Sequence, residues 1–211
     1  MSDRFNHRFH DKDVRVTDYE CLYDGFLRLG KYGLQHKRFD GTWSQSISRE
    51  VVERKPAVVV LPFDPVCNKI VLIEEFRAGP VAAKSTSPWL FEVPAGILDK
   101  PDEEPWQAGV REVFEECGLE VKRMMPIVNY WASPGGNSEM IYAFCGEVDS
   151  TIYAESYHGV SDEHEDIRCF VVSAEEAFKA CSEGKINNGA GLIVLQWLEM
   201  NYEKVCSAWC R

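Results

Sequence analysis

The stretch that most limits how this chain can fold runs from Pro94 to Leu119 and reads PAGILDKPDEEPWQAGVREVFEECGL. Its second half has the spacing of an amphipathic helix. Val110, Val113, Phe114 and Cys117 fall at i, i+3, i+4 and i+7, an apolar stripe for a core that Trp106 extends by one turn. Glu112, Glu115 and Glu116 are expected on the opposite side, with Glu112 and Glu116 one turn apart. Pro105 suits the first turn, where backbone N–H groups lack partners, and Asp102, Glu103 and Glu104 complement the positive helix end. Gly118 follows the last apolar position as a C-terminal stop.

Carboxylates one turn apart repel by about 0.2–0.5 kcal/mol on a solvated helix, and more where water is excluded. A hard divalent cation relieves that repulsion, because Mg²⁺ takes oxygen ligands. A solvated acidic face is the plain alternative. What separates the two is residue order. Gly96, Glu103, Arg111, Glu112, Val113, Glu115, Glu116, Gly118 and Leu119 fill the places of the Nudix box, which the segment resembles. The match departs at one point: six residues, not five, separate Gly96 from Glu103. The extra residue lies in the turn-prone Asp99-Lys100-Pro101-Asp102 and leaves the helix register intact.

Composition narrows the partners. The chain has 211 residues, 45% of them hydrophobic, enough for one sizeable core and a small accessory unit. Its net charge of −11 argues against nucleic-acid backbone or anionic membrane as partners. An anionic substrate would also be repelled unless bound cations and placed arginines offset that charge. No apolar run approaches the roughly 20 residues of a membrane span, and MSDRFNHRFHDKD has no secretory h-region. The eight cysteines form no CxxC pair, and Cys206 and Cys210 have no matching His or Cys pair. Reduced thiols in a cytoplasmic protein are expected.

Along the chain, residues 1–13 are polar and expected as a flexible tail. Val14–Tyr23, Phe26–Phe39 and Trp43–Val52 have strand character, with hairpin turns at Asp24-Gly25 and Asp40-Gly41. Three strands alone bury little, so this 14–55 unit needs a partner surface. Residues 56–211 form the main domain. Its strands are expected at Ala57–Leu61, Lys69–Phe76, Trp89–Val93, Val121–Trp131, Met140–Val148 and Ile167–Val172, with residues 78–88 as a loop. Ser173 and Glu176 make a capping box for a helix to about Glu183, and a last helix covers roughly Ala190–Glu199. Strands and helices intermixed around one mixed sheet, with a helix on each face, make this an α/β protein.

Beyond the box, most of the chain from about Val14 resembles the ADP-ribose pyrophosphatase branch of the Nudix hydrolases. The likeness rests on Phe26 after a hairpin glycine, the segment REVVER with Arg49 and Arg54, Arg77 ending VLIEEFR, SPGGNSE from Ser133 to Glu139, SDEHEDIR from Ser161 to Arg168, and KINNG before LQWL. It implies a Nudix α/β/α sandwich with a mixed β-sheet, plus a small N-terminal antiparallel β unit exchanged across a homodimer. It also implies Mg²⁺-dependent hydrolysis of ADP-ribose to AMP and ribose 5-phosphate, with Mn²⁺ as a substitute ion. Other nucleoside diphosphate sugars, such as GDP-mannose or ADP-glucose, and a non-catalytic nucleotide-sugar sensor are the alternatives.

By the same resemblance Glu112, Glu116 and Glu165 match metal ligands, as does the carbonyl of Ala95. Glu115 matches a further carboxylate, either a ligand or a group holding waters. Arg111 either pins a box glutamate or pairs with Glu115 at i,i+4. Glu163 matches the general base, ahead of His164, which an extended backbone would turn to the other side. Phe26 matches an adenine-stacking residue. Arg49, Arg54 and Arg77 match groups for phosphate or adenine edges. Gly135 and Gly136 allow close backbone approach, and Glu139 matches a ribose acceptor. Leu27, Glu50, Ile97, Ser133 and Pro134 complete the expected contacts.

Overall fold

The structure is a computed structural model and describes residues 5–151, 155–159 and 165–210. The chain divides into two compact units. One comprises the described residues up to Lys55 together with Trp131–Glu139; the other comprises Pro56–Tyr130 and the described residues from Met140 onward.

The first unit is a three-stranded antiparallel sheet in the order β1 (Val14–Asp24), β2 (Arg28–His36), β3 (Ile47–Glu53). The β1–β2 turn follows Asp24, as the Asp-Gly pair predicts, and Gly41 takes φ 88° at the second turn. β3 begins four residues later than the sequence suggests. Trp43 instead makes an isolated bridge to Lys37, with the Arg15 guanidinium 3.8 Å and the Lys37 ammonium 4.8 Å from its ring centroid. The segment 131–139 docks on the end of β3. The Val52 amide donates to Gly136 O at 2.9 Å, and the Ser138 amide returns a bond to Val52 O at 3.0 Å.

The second unit is built on a mixed sheet. Its strands are β4 (Ala57–Asp64), β5 (Lys69–Phe76), β6 (Trp89–Glu92), β7 (Ala95–Ile97), β8 (Arg123–Trp131), β9 (Met140–Glu147), β10 (Ser156–His158) and β11 (Ile167–Ser173). The order is β10-β11-β5-β4-β9-β8, with β6 on β5 and β7 on β4. β4 runs parallel to β9 and antiparallel to β5, which makes the sheet mixed. The apolar run of β4 is continuous because both its faces are covered. Val58 and Val60 pack with Val71, Ile73 and the helix α2 (Pro105–Cys117). Val59, Leu61 and Phe63 point the other way, toward α3 (Ala174–Ser182) and α4 (Gly189–Trp209). The result is the expected α/β/α sandwich.

The short strands β7 and β10 are additions to the strands expected from sequence, and two helical regions also differ. Residues 78–88 include a short helix, α1 (Ala78–Ala82). α4 runs ten residues beyond Glu199, because Val205 and Trp209 return to the core and the Arg123 guanidinium donates to the Trp209 carbonyl at 2.6 Å. The Ser173 capping box forms as predicted, Ser173 Oγ accepting from the Glu176 amide at 3.2 Å and Glu176 Oε2 from the Ser173 amide at 2.8 Å. No helix among the described residues is long and apolar enough to cross a membrane.

Candidate active site

The candidate site is set by α2 and the loop before it. Pro105 opens the helix, and the Glu104 amide donates to the Gln107 side chain at 2.9 Å. Gly118 ends the helix at φ 66°, a left-handed residue that costs glycine nothing. The faces of α2, however, are not those the apolar spacing suggests. The buried side carries Ala108, Gly109, Glu112, Val113, Glu116 and Cys117, while Trp106 and Phe114 are about half exposed, 50% and 59%. The helix is rolled so that two glutamates point inward. The cause lies in β7, whose pairing with β4 (Val58↔Gly96) brings the start of the box against the helix. There the Ala95 amide donates to Glu116 Oε2 at 3.3 Å, and Glu112 lies over Gly96.

Arg111 ties the box together. Its Nε and Nη2 reach Glu103 at 3.0 and 3.2 Å, and its Nη1 reaches Glu112 at 2.6 Å and Glu115 at 2.8 Å. Both roles weighed for Arg111 are therefore met by one guanidinium. In the loop with the extra residue Asp102 takes φ 60°, and Glu103 beside it reaches Arg111.

Electrostatics mark the inward face. Burial raises Glu116 well above the ordinary carboxylate range, and Glu112, Glu75 and Glu165 push it further. Burial also raises Glu112 against the pull of Arg111, with Glu115 and Glu165 adding to the rise. Glu75 is pushed up to about 7, by burial first, with Arg77 opposing and Glu92 and Glu165 reinforcing. Glu165, from the stretch before β11, thus contributes to the shifts of Glu75, Glu112 and Glu116. Glu163 and His164 lie outside the described residues.

An all-carboxylate donor set whose members raise one another's pKa suits a hard divalent cation. Among the described residues, no three ligating side chains already stand in metal-holding geometry. Glu112 is engaged by Arg111, and Glu116 by the Ala95 amide.

The remaining expected residues are divided between the units. In the second unit, Ile97 lies half-buried on β7, and Arg77 directly follows β5 in contact with Glu75 and Glu92. In the first unit, Phe26 is 90% exposed in the β1–β2 turn, beside exposed Leu27. Arg49 and Glu50 are exposed on β3. Arg54 Nε pairs with Glu139 Oε1 at 2.7 Å, which brings two expected binding residues together. Ser133 O accepts from the Gly136 and Asn137 amides, and Pro134 and Gly135 are exposed in that turn.

Glu75 and Glu92 were missed by sequence reasoning. For Glu75 a signal existed. Val71, Ile73 and Glu75 alternate on one face of β5, and the first two pack against α2. A carboxylate continuing an apolar period, in a residue only 8% exposed, is out of place unless it serves a site.

Comparison with known proteins bears on the family and the fold. The NUDIX domain family model matches residues 53–191. The ADP-ribose pyrophosphatase of Escherichia coli K12 is 44% identical over 203 residues, covering 95% of each chain. The ADP-ribose pyrophosphatase of Haemophilus influenzae is 38% identical over 205 residues, covering 96% of this chain and 94% of its own. A crystal structure of an ADP compounds hydrolase superposes with a TM-score of 0.65 at 18% identity, over 90% of this chain and 96% of that one, a likeness of fold. With the box match, the sandwich around α2 and these relatives together, the chain belongs to the Nudix family.

Proposed function

We propose that this protein hydrolyses the diphosphate bond of ADP-ribose, with Mg²⁺, to AMP and ribose 5-phosphate. The observation that carries this reading is the inward face of α2, where Glu112 and Glu116 are buried beside Glu75 and under the influence of Glu165. Chain-length similarity to enzymes named ADP-ribose pyrophosphatase selects the substrate.

In this reading Glu112, Glu116, Glu165 and the carbonyl of Ala95 would hold Mg²⁺, with Glu115 supporting the set. The ion would supply charge neutralisation at the diphosphate. Arg111 orients Glu112 and Glu115 through the contacts described. Glu163 takes a proton from water as the new P–O bond forms and the bridging P–O bond breaks, the leaving phosphate carrying away the electron pair. Phe26 stacks on adenine, with Leu27 beside it. Arg49, Arg54 and Arg77 donate to the nucleotide, Glu139 accepts from ribose, and Glu50, Ile97, Ser133, Pro134 and Gly135 shape the remaining contacts.

The protein works as a homodimer in which residues 14–55 are exchanged. Support comes from β1, exposed along its whole length and carrying Val14, Val16, Tyr19, Leu22 and Tyr23 outward. A cytoplasmic setting fits eight cysteines that are all free thiols.

The test is a panel of ADP-ribose, ADP-glucose and GDP-mannose with Mg²⁺, scored for nucleotide and sugar phosphate. AMP and ribose 5-phosphate released fastest from ADP-ribose is the expected result. No release with Mg²⁺ present, or faster turnover of GDP-mannose, overturns the reading.

A further inference from the structure

Arg77 is more heavily committed than a lone substrate-binding arginine needs to be. Its Nε and Nη2 donate to Glu92 Oε1 and Oε2, each at 3.1 Å, a two-point fork. The same Nη2 meets Glu75 Oε2 at 2.8 Å. Among the described residues, the hydrogen bonds and ion pairs of Arg77 are made by Nε and Nη2, not by Nη1. The three side chains come from neighbouring strands, Glu75 from β5 and Glu92 from β6, which pair with Ile73 opposite Glu92.

Burial runs in an unusual direction. The Glu75 and Glu92 side chains are 10% and 12% exposed, while the arginine between them is 39% exposed. Two shielded carboxylates holding one half-open cation do not resemble a surface ion pair, which is loosely held and contributes little. With Glu92 ionised against the one guanidinium, the trio carries no net positive charge. Arg77 therefore offers an incoming nucleotide directed N–H groups rather than surplus positive charge. Such donors serve only if the guanidinium plane is fixed beforehand, because ordering a free arginine on binding costs side-chain entropy.

We propose that Glu75 and Glu92 are positioning residues that lock the plane of Arg77 and leave its Nη1 for the substrate. This rests on the proposed ADP-ribose activity and adds two residues to it. Glu75 has a second neighbourhood, since it interacts electrostatically with Glu116 and Glu165. It could act as an extra cation ligand instead, and the test must separate the two.

The experiment uses the full chain with ADP-ribose, measuring kcat, KM and half-saturating Mg²⁺ for Arg77→Ala, Glu75→Ala, Glu75→Gln, Glu92→Gln and the Glu75→Ala/Arg77→Ala double variant. Arg77→Ala and Glu75→Ala should each raise KM about tenfold with kcat within about threefold, the loss of one charge-assisted hydrogen bond. Glu75→Gln should stay within about threefold of the parent KM, because its amide oxygen still accepts from Nη2. The double variant should be no worse than Arg77→Ala, since Glu75 acts through that residue.

A KM for Glu75→Ala equal to the parent's, with Arg77→Ala impaired, overturns the inference. So does a multiplicative double variant, or a shift of more than about threefold in half-saturating Mg²⁺ in Glu75→Ala, which would make Glu75 a cation ligand. Where Glu75→Ala does not fold, Glu92→Gln carries the test. It puts an amide N–H against a guanidinium N–H and should raise KM; an unchanged KM overturns the inference. Absence of AMP release by the parent chain rejects the substrate reading itself, whereas AMP release by the parent with an unchanged KM in Arg77→Ala overturns this inference alone.

Discussion

Gly96 lies directly beneath Glu112: a β-carbon on Gly96 would fall 1.8 Å from Glu112 Oε1 and 2.0 Å from its carboxyl carbon. No real Cβ contact is that short, so a side chain at 96 must push Glu112 off its position. The box glycine is thus a requirement of space at the candidate cation site.

Gly96→Ala should therefore cost activity rather than the fold. A displacement on the order of 1 Å of a group in the reacting geometry lowers rate by roughly 10²-fold. Circular dichroism should match the parent while Mg²⁺-dependent AMP release falls by about that factor. Parental turnover in the alanine variant would show that Glu112 has no fixed place in the chemistry.

Glu112→Gln and Glu116→Gln should separate stability from catalysis. Both carboxylates are buried and destabilised as anions, Glu116 most strongly. Neutralising either should raise the melting temperature in EDTA while lowering kcat/KM by orders of magnitude. A melting temperature that falls in Glu116→Gln would contradict the electrostatic picture of this face.

The pH dependence of stability follows with a definite sign. Glu75 titrates near 7 in the folded protein against about 4.5 unfolded, so folding favours its protonated form. The associated stability is fully present below about 4.5 and is lost as pH rises through about 7. Glu112 and Glu116, raised in the same direction, add to the loss. In EDTA the melting temperature should fall between pH 6 and pH 8, less steeply in Glu75→Gln. The stabilisation on adding Mg²⁺ should grow over the same interval, because the cation binds the ionised carboxylates. Identical slopes for the parent and Glu75→Gln would refute the shift assigned to Glu75.

The roll of α2 can be checked by two truncations of adjacent residues. Val113 is fully buried and Phe114 is 59% exposed. Val113→Ala should destabilise by about 1–3 kcal/mol in urea unfolding, and Phe114→Ala by less, although it removes the larger side chain. The reverse order would mean that the apolar spacing, with Phe114 inward, describes the helix correctly.

Arg111 offers a last check, since one guanidinium serves Glu103, Glu112 and Glu115 together. A lysine keeps the charge without the fork. Arg111→Lys should lower both the melting temperature and kcat, and a variant with parental values in both would show the contacts to be incidental.

Much of this was legible in the chain itself. The order of residues from Gly96 to Leu119, the apolar run Ala57–Leu61 and the Ser173/Glu176 cap are local patterns, and each forms with the bounds its spacing implies to within a few residues. Local patterns determine local conformation because backbone hydrogen bonding and capping are settled within a turn or two. Other features depend on neighbours distant in the chain. Which face of α2 is inward was decided by β7 lying across it. That Glu75 joins the site was decided by β5 pairing with β6, and the length of α4 by core contacts of Val205 and Trp209. Spacing names the two faces of a helix, but only the packed neighbours choose which one loses its water, and here they chose the face with the charges.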